Sequence, residues 1–418
     1  MEEIPAEGFR EYTLKKSTQR SHYLRICAMA GEQKIQEETY ITPVCITAVF
    51  ECQEEQLEQL DRGLVAVKTK EGIFLSWRLF LQETVRVSPE KTGLEGTDFV
   101  VYRNGKAIAA LTDSTNYLDR EGTTDDFYAV ADVVDGKEGA PCEAVHPWEK
   151  PYLDIPIQKP EGGVTPAGEA YEYSANDMSV ADVDGDGACE YIVKWDPSNS
   201  HDVSVKGYTG RCFLDCYKLD GRLLWRLDMG ENIRAGAHYT QFMCYDFNGD
   251  GKAEMAVKTA PGTKMTRYGA DGSVLQEGYI TMPEEDLKHG YSHEDSYVCS
   301  RESYYRHLVN VFAKWQDHPE VTAGHWPKTL EACFGLEELY DYPLKQADAE
   351  ALVDYFLDVY APSRSSKNKL REFEGFIYEG PEYLTMFSGD GQELETIPFP
   401  FGRVDDGLMW GDYASNRM

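Results

Sequence analysis

The sequence is poor in positive charge and lacks the segments that mark membrane or exported proteins. Its 418 residues include 41 lysines and arginines against 73 aspartates and glutamates, a formal net charge of −32. Such a surface repels phosphate backbones and anionic lipids, so neither nucleic acid nor a membrane is expected as a partner. No run of 18 apolar residues exists, and the start, MEEIPAEGFREY, has neither a basic nor an apolar segment. As written, the chain is expected in the cytoplasm, and would be secreted if its start is misassigned.

The ten cysteines form no CxxC pair and follow no regular spacing. Cys212 and Cys216 fall on one face of a predicted strand, which favours two core thiols over a disulfide bridge. A reducing compartment fits this usage.

What the sequence does contain is one oxygen-rich loop written twice, DVDGDGACE at 182–190 and DFNGDGKAE at 246–254. Hard oxygen donors at alternate positions around a tight turn suit Ca²⁺. The glycines between them permit the positive φ angles that aim several oxygens at one point. The predicted ligands are Asp182, Asp184, Asp186 and Glu190 in the first loop, and Asp246, Asn248, Asp250 and Glu254 in the second.

These loops are not EF-hands, because Val193 and Val257 stand where an EF-hand has its bidentate glutamate. The flanking segments are rich in β-branched and aromatic residues, so each loop is predicted to be the turn of a β-hairpin. A plain acidic turn without a metal is the alternative, and the matching glycines of the two copies argue against it.

The pattern along the chain predicts an all-β protein in three parts. Residues 1–56 are an extension of uncertain fold. Residues 57–150 carry short strands with turn signals, including Asn104-Gly105, and are predicted to form a fibronectin type III-like sandwich. Residues 151–418 are predicted to form part of a β-propeller, with a helical insertion at about 270–372.

The propeller is predicted from two four-stranded meanders, each beginning with one of the acidic hairpins. The outer strands of the second, EYLTMFS and LETIPFP, follow the insertion, and MWGDYASNRM would open a third blade. A closed ring usually has four to eight blades. We therefore expect a truncated propeller whose closure needs a missing C-terminal half or a second chain.

Hairpin geometry also predicts where a binding face lies. If the acidic loops occupy one end of the hairpins, four polar segments meet at the opposite end: SAND (174–177), KWDPSNSHD (194–202), NIRAGAH (232–238) and KTAPGTK (258–264). Polar loops on a rigid scaffold are typical of a binding rim.

Several of these motifs resemble one known family. SANDMSVADVDGDG, YIVKWDPSNS, IRAGAHYTQFMCYDFNGDGKAEMAVKTAPGTK and WGDYASNR are similar to the rhamnogalacturonan endolyases of polysaccharide lyase family 11. The resemblance covers nearly all of 57–270 and 375–418, and leaves out the N-terminal segment and the insertion. It implies an eight-bladed propeller with several bound Ca²⁺ ions, and cleavage of the rhamnogalacturonan backbone of pectin by β-elimination at galacturonate. It also implies that Asn176 and Asp196 contact the substrate.

The loop ions are on the wrong end of the hairpins for this chemistry and are expected to be structural, with a separate ion bridging the substrate. A basic residue must remove the proton, and the candidates on the polar face are Arg234, His238 and Lys258, with Lys194 and Lys264 nearby. Each has an ordinary structural alternative. Arg234 could pair with an acid, His238 could pack between blades, and Asn176 and Asp196 could be turn residues.

Other readings stay open. His289 and His293 suggest a zinc site, but a polar loop is favoured because no third ligand stands at a recognisable spacing. Trp315, Trp326 and Tyr340 are expected in the insertion's own core rather than on a sugar. The whole chain could instead be a non-catalytic, calcium-stabilised glycan-binding or adhesion propeller, or an inactive fragment of a lyase.

Overall fold

The computed structural model describes residues 24–30, 33–40, 59–80, 83–85, 95–201, 205–236, 240–364 and 369–399. The chain divides into two units, Met1–Glu55 and Gln56–Met418. The first contains an antiparallel pair, β1 (Leu24–Ala30) and β2 (Gln33–Tyr40). The segment predicted to open a third blade, 409–418, lies outside the described residues.

The second unit begins with two small antiparallel sheets around a shared core. The strands of this region are β3 (Val65–Lys68), β4 (Ile73–Ser76), β5 (Thr84–Val85), β6 (Glu95–Gly96), β7 (Asp98–Arg103), β8 (Lys106–Leu111), β9 (Asn116–Asp119), β10 (Tyr128–Val134) and β11 (Lys137–Glu138). One sheet has the order β3-β4-β9, the other β11-β10-β7-β8, and β5 pairs with β6. The predicted turn at Asn104-Gly105 is confirmed, with φ angles of 52° and 74° between β7 and β8.

The side chains of these two sheets alternate between core and solvent. In β4, Ile73 and Leu75 are buried while their neighbours are exposed. They pack with Phe99, Val101 and Tyr128 of the facing sheet. The alternation predicted from the sequence therefore supplies the core of this region.

Two larger sheets follow. Their strands and a short preceding ladder are β12 (Gly163–Val164), β13 (Ala170–Tyr171), β14 (Tyr173–Ala181), β15 (Glu190–Pro197), β16 (Phe213–Tyr217), β17 (Leu223–Asp228), β18 (Phe242–Tyr245), β19 (Glu254–Thr259), β20 (Lys264–Tyr268), β21 (Val274–Tyr279), β22 (Tyr383–Phe387) and β23 (Glu393–Pro398). The first sheet has the order β14-β15-β16-β17-β20-β21 and the second β18-β19-β22-β23. Both predicted meanders are observed.

The first sheet is wider than expected, because β20 and β21 extend its outer edge beyond β17. Residues from about 270 were predicted to begin the helical insertion, whereas this sheet continues to Tyr279. The helices start only at Glu284.

The two sheets share one core. Along β17, Leu223, Trp225 and Leu227 are buried at every second position. The Trp225 indole N–H donates to the Gly389 carbonyl of the second sheet at 2.9 Å, so this buried donor is satisfied. Cys212 and Cys216 are buried free thiols in the same core, as predicted.

The insertion contains α1 (Glu284–Lys288), α2 (Arg301–Ala313), α3 (Pro319–Thr322), α4 (Leu330–Phe334), α5 (Gln346–Tyr355) and α6 (Ala361–Arg364). Ser300 begins α2 through reciprocal hydrogen bonds with Ser303. Trp315 is fully buried in the insertion's own core and Trp326 and Tyr340 pack against it, so that prediction is confirmed. None of the helices in the described ranges is long and apolar enough to span a bilayer.

Candidate metal loops and the opposite polar face

The first acidic loop is held open by hydrogen bonds from its own backbone. Asp182 is fully buried, and its carboxylate accepts the amides of Gly185 at 2.6 Å and Gly187 at 2.9 Å. Glu190 closes the loop, with Oε2 accepting the Val183 amide at 2.9 Å. Gly185 and Gly187 have φ angles of 79° and 86°, a conformation that costs a side-chain-bearing residue free energy. The predicted hairpin turn between β14 and β15 is confirmed.

The second loop repeats the same frame between β18 and β19. Asp246 accepts the amides of Gly249 at 2.6 Å and Gly251 at 2.9 Å, and Glu254 Oε2 accepts the Phe247 amide at 2.9 Å. The two loops are neighbours, because the Ala253 amide donates to the Asp182 carbonyl at 2.8 Å.

The donor chemistry of these loops fits a hard divalent cation. In the first loop, one carboxylate oxygen from each of Asp182, Asp184 and Glu190 lies within 4.8 Å of the others. Carboxylate, amide and backbone oxygens are the ligands that such ions prefer. The Lys218 ammonium points into the same space, and no basic residue was predicted there.

The segment that precedes β3 covers both loops. The Asp61 amide donates to the Gly187 carbonyl at 2.8 Å. Gln59 lies against Gly251 of the second loop. A side chain at either glycine would meet this segment, so the β3-β4-β9 region is attached to the loop end of the hairpins.

At the opposite end, Asn176 and Asp196 lie together as predicted. The Asn176 amide donates to Asp196 Oδ2 at 2.8 Å. Asn176 is exposed and Asp196 is 7% exposed. Burial raises the pKa of Asp196, an effect that the positive charge of Lys194 opposes. Lys194 is itself buried and pairs with Asp177, so neither is a free group on this face.

Backbone and side-chain hydrogen bonds join the four polar segments. The His201 amide donates to the Ala235 carbonyl at 3.0 Å, which links the second segment to the third. The Asn232 amide donates to the Pro261 carbonyl at 2.8 Å, which links the third to the fourth. With the Asn176–Asp196 contact, the predicted convergence on one face is observed.

Arg234 is buried beneath the insertion rather than open to solvent. Its guanidinium donates to the Val205 carbonyl and to the Gly207 carbonyl, the latter at 3.1 Å, and lies 4.2 Å from the Phe376 ring centroid. These contacts tie the polar face to the insertion. A direct role of Arg234 on substrate stays a prediction.

The other basic candidates are Lys258, His238 and His293. Lys258 pairs with Glu382 at 3.1 Å, and its side chain is 20% exposed. His238 lies outside the described residues. His293, considered for zinc, accepts the Gly262 amide through Nδ1 at 3.1 Å and stacks on Tyr279, and burial lowers its pKa.

Lys218 and Glu382 are the important residues that sequence patterns did not indicate. Lys218 follows the last residue of β16, beside the strand that carries Glu190. Only the pairing of β15 with β16 brings it to the loop. The pairing of β19 with β22, which are far apart in the chain, similarly places Glu382 near Lys258.

Comparison with known proteins identifies the family. Residues 152–280 match the Rhamnogalacturonan lyase family 11, C-terminal domain, and residues 55–148 match the Rhamnogalacturonan I lyases beta-sheet domain. The chain belongs to rhamnogalacturonan lyase family 11. The resemblance inferred from the motifs is thereby confirmed.

Two proteins of Bacillus subtilis (strain 168) are similar in sequence. Rhamnogalacturonan exolyase YesX is 53% identical over 368 residues, which cover 87% of this chain and 43% of YesX. Rhamnogalacturonan endolyase YesW is 55% identical over 210 residues, covering 50% of this chain and 32% of YesW. The chain thus spans less than half the length of these relatives.

Solved structures of family 11 agree with the all-β fold. The crystal structure of YesW matches with a TM-score of 0.55 and 37% identity, covering 86% of this chain and 44% of that one. The Bacillus licheniformis rhamnogalacturonan lyase PL11 matches with a TM-score of 0.55 and 38% identity, covering 86% and 45%.

The similarity to these relatives covers more of the chain than the motifs indicated. The insertion was expected to fall outside the resemblance. The alignment with YesX covers 87% of this chain and so leaves out fewer residues than 270–372 contains, which means that it includes part of the insertion.

Proposed function

We propose that this chain acts in cleavage of the rhamnogalacturonan I backbone of pectin, by β-elimination at galacturonate. The observation that carries the proposal is the hydrogen-bonded convergence of four polar segments, with Asn176 and Asp196 in contact at 2.8 Å, in a member of a lyase family. The named relatives include both an exolyase and an endolyase. The proposal is therefore for the lyase reaction and not for a cleavage pattern.

We further propose that the two large sheets are blades of a β-propeller, and that the sheets of 59–148 form a fibronectin type III-like sandwich. Each large sheet contains a four-stranded antiparallel meander, and both acidic loops lie beside each other at one end. Repetition of such meanders around an axis is the propeller arrangement. The polar face then lies around the axis at the other end.

The reaction removes the C5 proton of galacturonate and expels the sugar at C4. A divalent cation on the galacturonate carboxylate would stabilise the negative charge that develops, and we propose Ca²⁺ for this ion and for the two loops. The exposed Asn176 amide and the Asp196 carboxylate are proposed to orient the sugar hydroxyls. Lys258 and His238 are the proposed bases, and Arg234 is proposed to position the face through the insertion.

An activity assay tests this proposal. The chain is incubated with rhamnogalacturonan I and Ca²⁺, and the unsaturated uronate formed by elimination is followed by its ultraviolet absorbance. We expect absorbance to rise, and D196N to lower the rate about 100-fold, since one lost transition-state contact is worth about 3 kcal/mol. D113N, which removes an exposed carboxylate from the connection between β8 and β9, is the control.

Two outcomes would contradict the proposal. Binding of the polysaccharide without any absorbance change would indicate the non-catalytic glycan-binding alternative. Equal rates for D196N and D113N would remove Asp196 from the site. Product length, measured by gel filtration, distinguishes exo from endo cleavage.

We also propose a reducing, cytoplasmic location for the chain as written. The support is that five cysteines are free thiols, namely Cys142, Cys212, Cys216, Cys299 and Cys333. Labelling of thiols in the protein isolated from its native cell, under denaturing conditions, tests this. Disulfide-linked cysteines there would contradict it.

A further inference from the structure

The two acidic loops have the same backbone frame but not the same interior. In each, the first aspartate accepts two glycine amides, and the closing glutamate uses Oε2 to accept an amide. These bonds leave Oε1 of Glu190 and Oε1 of Glu254 facing the remaining carboxylates of their loops. What lies against these two oxygens differs.

In the first loop, the partner is an ammonium group. Lys218 Nζ lies 2.7 Å from Asp184, 2.7 Å from Asp186 and 2.8 Å from Glu190. The Lys218 side chain is only 13% exposed, so this contact is made largely out of water. A single positive charge thus bridges three carboxylates. It occupies the space that a metal ion bound by these carboxylates would need.

In the second loop, the partner is a neutral amide. Asn248 Nδ2 lies 2.8 Å from Glu254 Oε1 and 3.2 Å from Asp250 Oδ2. An amide can rotate and present its oxygen to a cation, whereas an ammonium has no acceptor to offer. The second loop can therefore accept a cation without losing a charged partner.

Strand register shows that this difference is built into the sequence. Tyr217 pairs with Tyr191, which follows Glu190, and Phe387 pairs with Met255, which follows Glu254. The next residues, Lys218 and Ser388, therefore occupy corresponding places. Ser388 donates to Asp390 within its own turn at 2.6 Å.

The charges of the two loops change together. Asp184 and Lys218 in the first loop stand where the second has Asn248 and Ser388. Among the predicted ligand side chains and Lys218, the first loop has four carboxylates and one ammonium, a sum of −3, and the second has three carboxylates and one amide, also −3. Lys252 of the second loop is outside both sums, because its side chain packs over Gly185. Asp184, the additional carboxylate of the first loop, is thus balanced by the positive charge of Lys218. Without that charge, carboxylates this close would repel each other.

We propose that Lys218 is the resident cation of the first loop. It stabilises 182–190 in the absence of a divalent ion, and an ion enters that loop only by displacing the ammonium. The second loop has no such internal cation among the described residues and depends on a bound ion. This inference rests on the proposal that the loops bind Ca²⁺.

The test uses K218M, which keeps an unbranched apolar stem and removes the charge. Calcium binding is measured by titration calorimetry on the full chain, and thermal unfolding is followed in chelator and in Ca²⁺. We expect K218M to bind Ca²⁺ about tenfold more tightly at one site, because a competing unit charge is gone. In chelator K218M should unfold at a lower temperature than the wild type, and saturating Ca²⁺ should restore it.

K252M is the matched control. Lys252 packs over Gly185 at the first loop, and the described residues give it no ion pair. K252M loses the same charge as K218M, but the described loop carboxylates form no ion pair with the Lys252 side chain. We therefore expect K252M to change the calcium affinity and the melting temperature in chelator less than K218M does. Equal behaviour of K218M and K252M would overturn the proposal.

A second variant keeps the test decisive if K218M does not fold. D184N/K218S gives the first loop the composition of the second, so we expect calcium-dependent folding with one more chelator-sensitive site than the wild type. If D184N/K218S is as stable in chelator as the wild type, Lys218 does not stabilise the first loop. If no variant binds Ca²⁺, the calcium proposal fails. A lower melting temperature of K218M in chelator would still show that Lys218 stabilises the first loop.

Discussion

The two ends of the acidic hairpins are built in different ways. At the loop end, the hydrogen bonds that shape each turn are made within nine residues, as in the bonds from Gly185 and Gly187 to Asp182. At the polar end, contacts join distant segments, as in the bonds from Arg234 to residues 205 and 207 and its stacking on Phe376. A frame made by local bonds is set by the loop's own sequence, whereas a face assembled from distant segments depends on how those segments pack.

The largest expected effect tests the local frame. D182A removes a buried carboxylate and leaves two glycine amides without an acceptor. An unsatisfied buried donor such as the Gly187 amide costs about 1–3 kcal/mol, and the amide of the exposed Gly185 adds less because water can reach it. We therefore expect a loss of about 3 kcal/mol in the free energy of unfolding, measured with urea. D186A, at a side chain that is 52% exposed, should cost less than about 1 kcal/mol. If D182A and D186A lose the same free energy of unfolding, the hydrogen bonds to Asp182 do not set the stability of the loop.

A smaller effect tests the assembled face. R234M removes a buried guanidinium from two carbonyls and from the Phe376 ring, so we expect a loss of about 2 kcal/mol and faster proteolysis of the insertion. R211M is the control, because Arg211 forms an ion pair with Asp228 at 3.0 Å and its side chain is 52% exposed. If R234M leaves the insertion as resistant as R211M does, Arg234 does not couple the two parts.

The smallest effect concerns pH at the polar face. Because burial raises the pKa of Asp196 above its ordinary value of 3.8, the folded protein binds this proton more tightly than the unfolded chain. The stability that Asp196 contributes is therefore present below that ordinary value and is lost as pH rises through the raised pKa. The melting temperature of the wild type relative to D196N should fall over this window and then level off. A difference that rises with pH would contradict the burial effect.

The sequence predicted best what is local. The acidic turns, their glycines and the hairpins around them follow from spacing alone, because φ and hydrogen bonds are fixed within a few residues. The Asn104-Gly105 turn was predictable for the same reason.

Long-range pairing was harder to predict. β21 is exposed along its whole length, so it has no apolar alternation to mark it as a strand, and its place at the sheet edge follows from pairing with β20. Lys218 and Glu382 reach their partners only through strand register. The burial of Arg234 against the Phe376 ring depends on packing with the insertion's core, which no local pattern describes.

The contact between Asp61 and Gly187 has a thermodynamic consequence. The carbonyl that accepts the Asp61 amide at 2.8 Å belongs to the same glycine whose own amide is bound by Asp182. Docking of the sheets of 59–148 onto the hairpins and closure of the first loop therefore share Gly187, so that each favours the other. The two should melt as a single cooperative step rather than as independent modules.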